Sequence, residues 1–202
     1  MSTFLLEKIG QHLWGFKPRL MAHLVDQKGA LSSLSWFASN MPGYQRILRT
    51  WGPTRTHLVS MTTSIINGCP YSTFGHAYSV QLHYLENTGK LFPRTDEELL
   101  EMSELPRDQI IEQLCLALKD ADLQEEIPLV CRTNELMRGS NELGKPLYSN
   151  PYDNNILQLI EIFTEVNSCG ITGSIEPDEA HDPINKNTEL KLQYERLRAS
   201  AG

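Results

Sequence analysis

The densest run of chemistry-bearing residues in the chain is Gly68-Cys69-Pro70-Tyr71-Ser72-Thr73-Phe74-Gly75-His76. Asn67-Gly68 reads as a helix stop, and Pro70 suits the first turn of the next helix, where its missing N–H has no intrahelical partner to lose. A helix starting near Cys69 places Cys69, Ser72, His76 and His83 on one stripe, because side chains three, four or seven apart share a face. A thiol in that first turn lies near free backbone N–H groups and the positive end of the helix dipole, and both favour thiolate. Cys69 is therefore a candidate nucleophile and His76 a candidate base, linked by a water or by the Ser72 hydroxyl.

Each of these residues also has an ordinary reading. A cysteine at a helix junction is commonly a small buried hydrophobe, and a histidine on a helix face is commonly just packed. Cys115 and Cys131 fall within helical patterns and read as core residues, whereas Cys169 reads as part of a helix-ending turn. No metal site is expected, since His76 and His83 lack a carboxylate at ligand spacing and neither HExxH nor paired CxxC occurs. No cofactor is expected either. Serine hydrolase chemistry lacks its GxSxG elbow.

The run from Thr54 to Tyr84, TRTHLVSMTTSIINGCPYSTFGHAYSVQLHY, resembles the core of the alkyl hydroperoxidase D-like, or carboxymuconolactone decarboxylase-like, family. That family's pattern is a helix opening with Glu, a turn carrying Cys-x-x-Cys, and a His one turn after the second Cys. Cys69 matches the first cysteine and His76 the histidine, while Ser72 replaces the second cysteine and His57 stands in place of the glutamate. The resemblance implies an all-α helical bundle assembling as a homo-oligomer. It also implies peroxide reduction with catalytic residues Cys69, His76, Ser72 and His57. With Ser72 no local disulfide closes, so Cys69 would become a sulfenic acid and be rescued by an external thiol. His57 would still relay protons, since imidazole titrates near neutrality. Cys-Pro-Tyr-Ser is also similar to the glutaredoxin-type Cys-Pro-Tyr-Cys site, but that fold puts its motif after a strand, and residues 54–67 read as helix.

The elements that must position these residues are helical, and strand patterns are scarce. Leu5, Ile9, Leu13 and Phe16 keep helical spacing before Pro18 interrupts the first segment. Residues 20–40 read as one or two helices around Gly29, with turns at Met41-Pro42-Gly43 and Trp51-Gly52-Pro53. From Thr54 to Asn67, Leu58, Met61, Ile65 and Ile66 form an apolar face, and His57, Ser60 and Ser64 a polar stripe. Thr95-Asp96-Glu97-Glu98 fits a capping box, and Ile110, Ile111, Leu114 and Leu118 give residues 107–119 an apolar face. Residues 125–138 read as helix and 139–155 as a long loop. Ile156–Val166 is a further helix closed by Asn167-Ser168-Cys169-Gly170. Residues 171–187 look linker-like, and 189–198 form a short charged helix. The organisation expected is one all-α domain over residues 1–170 and a C-terminal extension over 171–202.

Composition narrows the function classes. The 202 residues carry 18 Lys and Arg against 25 Asp and Glu, a formal charge of −7. Such a balance repels phosphate backbones, and no basic run interleaved with aromatics offsets it, so nucleic acid is not an expected partner. Eleven acidic residues between Asp96 and Glu126 read as a solvated helical surface. No apolar run is long enough to cross a bilayer, the first twenty residues lack a signal-peptide core, and four widely spaced cysteines suit a reducing cytoplasm. Three functions follow. The first is a one-cysteine peroxidase acting on a hydroperoxide or another small molecule, with an external thiol as reductant. The second is a non-redox lyase or decarboxylase-like enzyme in which His76 handles protons. The third is a helical binding or interaction protein that has lost catalysis.

Overall fold

The computed structural model describes residues 2–139 and 151–201, and among them every regular element is helical. The order is α1 (Ser2–Trp14), α2 (Leu20–Lys28), α3 (Ala30–Trp51), α4 (Pro53–Asn67), α5 (Pro70–Thr88), α6 (Asp96–Glu101), α7 (Arg107–Asp120), α8 (Ile127–Arg138), α9 (Pro151–Thr172) and α10 (Thr188–Ala201). Short 3-10 turns lie at Met102–Glu104, Gln124–Glu126 and Pro183–Lys186. No helix among the described residues is long and apolar enough to cross a membrane.

The hairpin of α4 and α5 is the centre of the molecule. Gly68 closes α4 at φ +69°, a left-handed conformation that glycine adopts without a Cβ penalty. Its N–H donates to the Ile65 carbonyl and the Cys69 N–H to that of Ser64, the paired bonds of a Schellman motif. Pro70 then opens α5, with Cys69 as its N-cap. Helix α4 is buried nearly all round despite its many hydroxyls, because its buried hydroxyls are satisfied by carbonyls one turn back. Thr56, Ser60, Thr62, Thr63 and Ser64 each donate to the carbonyl four residues back, at 2.7–2.9 Å. The polar stripe expected on this helix is thus internal.

Three apolar clusters surround the hairpin. The first joins α1, α2, α3 and α9 through residues such as Leu6, Leu24, Phe37, Tyr44 and Phe163. A second joins α4 and α5 to α6, α7 and α8 through Leu58, Val80, Leu99, Leu114 and Val130. A smaller third cluster holds α10 against α5 through Tyr78, Leu82, Leu190 and Tyr194. Thr95 forms the expected capping box with Glu98 at the start of α6.

Several boundaries differ from the sequence expectation. Helix α3 runs through Met41-Pro42-Gly43 instead of turning there. Burial of Phe37, Tyr44 and Ile47 along one face holds it together, and Gly43 serves helix contact: a Cβ there would lie 2.0 Å from the Gln158 amide of α9. Helix α9 begins at Pro151, inside the expected loop of 139–155, and continues past Asn167-Ser168-Cys169-Gly170 to Thr172, so Cys169 is a buried helical residue. The remainder of that loop, 140–150, lies outside the described residues. Cys115 and Cys131 are half-buried and not core.

The largest difference concerns the expected linker. Ala180, His181, Asp182, Ile184 and Asn185 are buried, so this segment is a packed crossing that returns over the bundle. Its anchor is Gly75, whose carbonyl accepts the His181 N–H at 3.1 Å. A Cβ at Gly75 would lie 2.4 Å from the His181 ring, so the close approach needs glycine.

Candidate functional site

The crossing segment brings a carboxylate onto the histidines of the central hairpin. His57 from α4 and His76 from α5 face one another, Nδ1 to Nδ1, at 3.0 Å. The other nitrogen of His57, Nε2, lies 2.8 Å from Asp182 Oδ2. His83, two turns after His76 on α5, reaches Asp182 Oδ1 with its Nε2 at 3.1 Å, and the Ile184 N–H donates to that same oxygen at 2.7 Å. Burial alone would raise the Asp182 carboxyl, but hydrogen bonds from His57 and His83 outweigh it and hold the group well below the usual carboxylate range.

An ionised carboxylate only accepts hydrogen bonds, and this fixes the protons along the chain. His57 Nε2 carries the proton given to Asp182, so neutral His57 presents a lone pair at Nδ1. His76 Nδ1 must then be the donor across the 3.0 Å contact, and His76 Nε2 is left with a bare lone pair. That nitrogen is buried and has no hydrogen-bond partner. Burial lowers the pKa of His57, with Asp182 opposing. Burial also lowers His76 well below 6.5, assisted by the neighbouring His57 and His181. Both rings are therefore neutral at neutral pH.

His76 forms part of the wall of an apolar cavity of about 50 Å³. The rest of the wall is largely aromatic and aliphatic, with Trp14, Phe37, Tyr44, Tyr71 and Phe163 prominent. Phe163 meets the His76 ring edge-on at 4.3 Å between centroids. His181 closes another side, stacked near Phe16 and linked to Asp178 at 3.3 Å. A proton acceptor backed by a second imidazole and a carboxylate, on a residue beside an apolar space, has the arrangement of a general base.

Of the four residues singled out by sequence, the structure brings His57 and His76 into contact, while no hydrogen bond among the described residues joins Cys69 or Ser72 to either histidine. Cys69 is fully buried and its Sγ packs against Gly170 of α9, where a Cβ would lie 2.8 Å away. It is not among the cavity walls. Burial pushes the Cys69 thiol up, against the opposing pull of the Ser72 and Tyr71 N–H groups and the Ser72 hydroxyl. The thiolate expected from the helix N-terminus is thus disfavoured, because desolvation outweighs the local dipoles. The Ser72 hydroxyl is buried beside the Cys69 thiol.

Asp182 and His181 escaped the sequence reading. Asp178, His181 and Asp182 fall within five residues, a cluster that pointed to chemistry, but the surrounding prolines and acids read as linker. Ligand atoms of His57, His83 and Asp182 lie within 4.8 Å of one another, close enough to be weighed as a metal set. Those atoms are spent on each other at hydrogen-bond distances.

No family model matches the chain, and comparison with curated proteins and solved structures found no match.

Proposed function

We propose that the protein is a non-redox acid–base enzyme, lyase- or decarboxylase-like, in which His76 Nε2 accepts a proton from a small substrate. The observation that carries this reading is the buried Nε2 of His76, unpartnered at the end of the His57–Asp182 relay, on a residue that lines an apolar cavity. On proton uptake at Nε2, the Nδ1 proton of His76 moves toward His57 Nδ1, and the resulting imidazolium is stabilised by Asp182. The charge thus ends beside a carboxylate already held by three donors. The resemblance of residues 54–84 to the carboxymuconolactone decarboxylase-like family supports the same assignment and an all-α bundle of that type.

The test is deuterium exchange at the α-carbons of small carbonyl compounds in D₂O, followed by NMR. Wild type is expected to accelerate exchange by about 10²–10⁴-fold, the usual contribution of a positioned base. His76→Phe should abolish the effect and Cys69→Ser should leave it intact. Loss of all activity in Cys69→Ser, together with hydrogen peroxide consumption by wild type, would instead establish the thiol peroxidase reading. In that chemistry the Cys69 thiolate attacks the peroxide, the O–O bond breaks, alcohol or water leaves, and an external thiol reduces the sulfenic acid.

A further inference from the structure

His57 Nε2 and His83 Nε2 sit on opposite oxygens of Asp182, at 2.8 and 3.1 Å, with their rings 20° from parallel and 6.3 Å apart between centroids. The ligand atoms of these three residues all lie within 4.8 Å of one another. Each N···O contact is made through one imidazole proton. A cation that displaces both protons meets two neutral imidazoles and a carboxylate, the donor set of zinc and its first-row neighbours, whereas Mg²⁺ and Ca²⁺ prefer oxygen. Bonds of about 2.0–2.1 Å hold tetrahedral ligand atoms about 3.4 Å apart. The two N···O pairs therefore open slightly, and the His57–His83 pair closes by about 1.4 Å at most. His83 is the partner able to move, since its side chain is 11% exposed and that of His57 is sealed.

Each of the three residues also has the outer partner that metal ligands need. The Ile184 N–H donates to Asp182 Oδ1 at 2.7 Å, which leaves Oδ2 for an ion. The other nitrogen of His83, Nδ1, lies 3.8 Å from the exposed Glu86 carboxylate. While His83 Nε2 donates to Asp182, a neutral ring shows Glu86 only a lone pair; with an ion on Nε2 it shows an N–H. The other nitrogen of His57 meets His76 Nδ1 at 3.0 Å, and this contact carries the effect of the ion onward. Coordinated through Nε2, His57 stays neutral only with its proton on Nδ1, from which it donates to His76 Nδ1. His76 then holds its own proton on Nε2. The protons balance: the one displaced from His57 Nε2 is matched by the one gained at His76 Nε2, and His83 exchanges Nε2–H for Nδ1–H.

We propose that His57, His83 and Asp182 form a site for a divalent ion of the zinc class, entered from the His83 side, and that filling it removes the lone pair from His76 Nε2. The ion is thus an off-switch for the base. The switch rests on the acid–base reading above, whereas the site does not.

The test titrates chelator-treated protein with Co²⁺, whose visible absorption bands report coordination by nitrogen and oxygen, and then with Zn²⁺, which should displace it. Excess Mg²⁺ should not compete. His83→Gln should erase the bands. Glu86→Gln, at an exposed position, should keep the fold and weaken the ion by about 10–100-fold, the usual cost of losing an outer partner. His12→Gln, which removes an exposed histidine of α1, should change nothing. In two-bond ¹H–¹⁵N spectra, zinc should move the His76 proton from Nδ1 to Nε2, and saturating zinc should halt the catalysed exchange. No bands, bands that survive His83→Gln or vanish in His12→Gln, a His76 tautomer that zinc leaves unchanged, or exchange that continues at saturating zinc would overturn the proposal. Metal binding with these effects on variants and tautomer, but no catalysed exchange by the zinc-free protein, would defeat the acid–base reading alone. Catalysed exchange without metal binding would defeat this inference alone.

Discussion

Helix α5 carries two buried polar clusters, and they end differently. Near its middle, Gln81 is fully buried and donates to Asp96 Oδ1 at 2.6 Å. Its carbonyl oxygen accepts from Tyr194 and from Arg198, and Arg198 goes on to the carbonyls of Phe92 and Arg94 at 3.0 and 2.8 Å. That network closes on itself, fastening α10 and the start of α6 to the bundle. The His57–His76–Asp182 cluster is equally buried, but it runs from a carboxylate with three donors to a nitrogen with no partner. The contrast separates structural polarity from functional polarity. A satisfied network contributes specificity and stability, whereas one that stops at an unpartnered nitrogen keeps a lone pair free to take a proton.

The sharpest way to break the contrast is Asp182→Asn. An amide cannot accept from His57 and His83 at both of its ends, so one histidine N–H loses its partner or its ring changes tautomer. Loss of about 10²–10⁴ in rate is expected, the range for disturbing a base–orienter pair. A loss of about 3 kcal/mol in stability, from buried groups left unpaired, should appear in urea unfolding. Gly75→Ala is next in size. Its Cβ, 2.4 Å from the His181 ring, should cost about 1–3 kcal/mol by overpacking. It should also depress activity, because the displaced segment carries Asp182.

The two clusters also predict opposite pH behaviour. Burial lowers His57 and His76 from 6.5, so their contribution is complete above that value and is lost as pH falls through their native values. Asp182, lowered from 3.8, adds a further loss below that pH. Asp96 runs the other way. Burial raises it from 3.8 to about 6 despite the Gln81 hydrogen bond, so its contribution is complete below 3.8 and is lost as pH rises through about 6. Asp96→Asn should therefore raise Tm near neutrality and leave it unchanged at about pH 3. His76→Phe should flatten the decline on the acid side of 6.5. The smallest effect belongs to Tyr194→Phe. Gln81 keeps Arg198 as a donor, so about 1 kcal/mol should be lost with activity unchanged.

The parts of this arrangement legible in the sequence were those set by local chemistry. Gly68 and Pro70 marked the hairpin, and Thr95 with Glu98 marked the start of α6. Helical spacing placed His76 and His83 on one stripe, and the family resemblance drew His57 to the same site. What stayed hidden was decided by distant partners. Asp182 reaches His57 across 125 residues, and nothing in a run rich in Pro and Asp distinguishes a buried crossing from a solvated linker. The Pro42-Gly43 pair signalled a turn, yet the packing of Tyr44 and the approach of Gln158 to Gly43 kept α3 continuous. Cys69 sits at the helix start as its spacing indicated, but the dipole argument for a thiolate takes no account of burial, which pushes the thiol up.

The central claim is that Asp182 imposes a tautomer on His57 and, through it, on His76. Two-bond ¹H–¹⁵N correlation spectra of histidine-labelled protein, recorded from about pH 5 to 8, measure this directly. The account predicts His57 protonated at Nε2 and His76 protonated at Nδ1, with His76 Nε2 bare and the ring neutral down to the acid end of that range. His76 protonated at Nε2, or titrating as an ordinary histidine near 6.5, would contradict it.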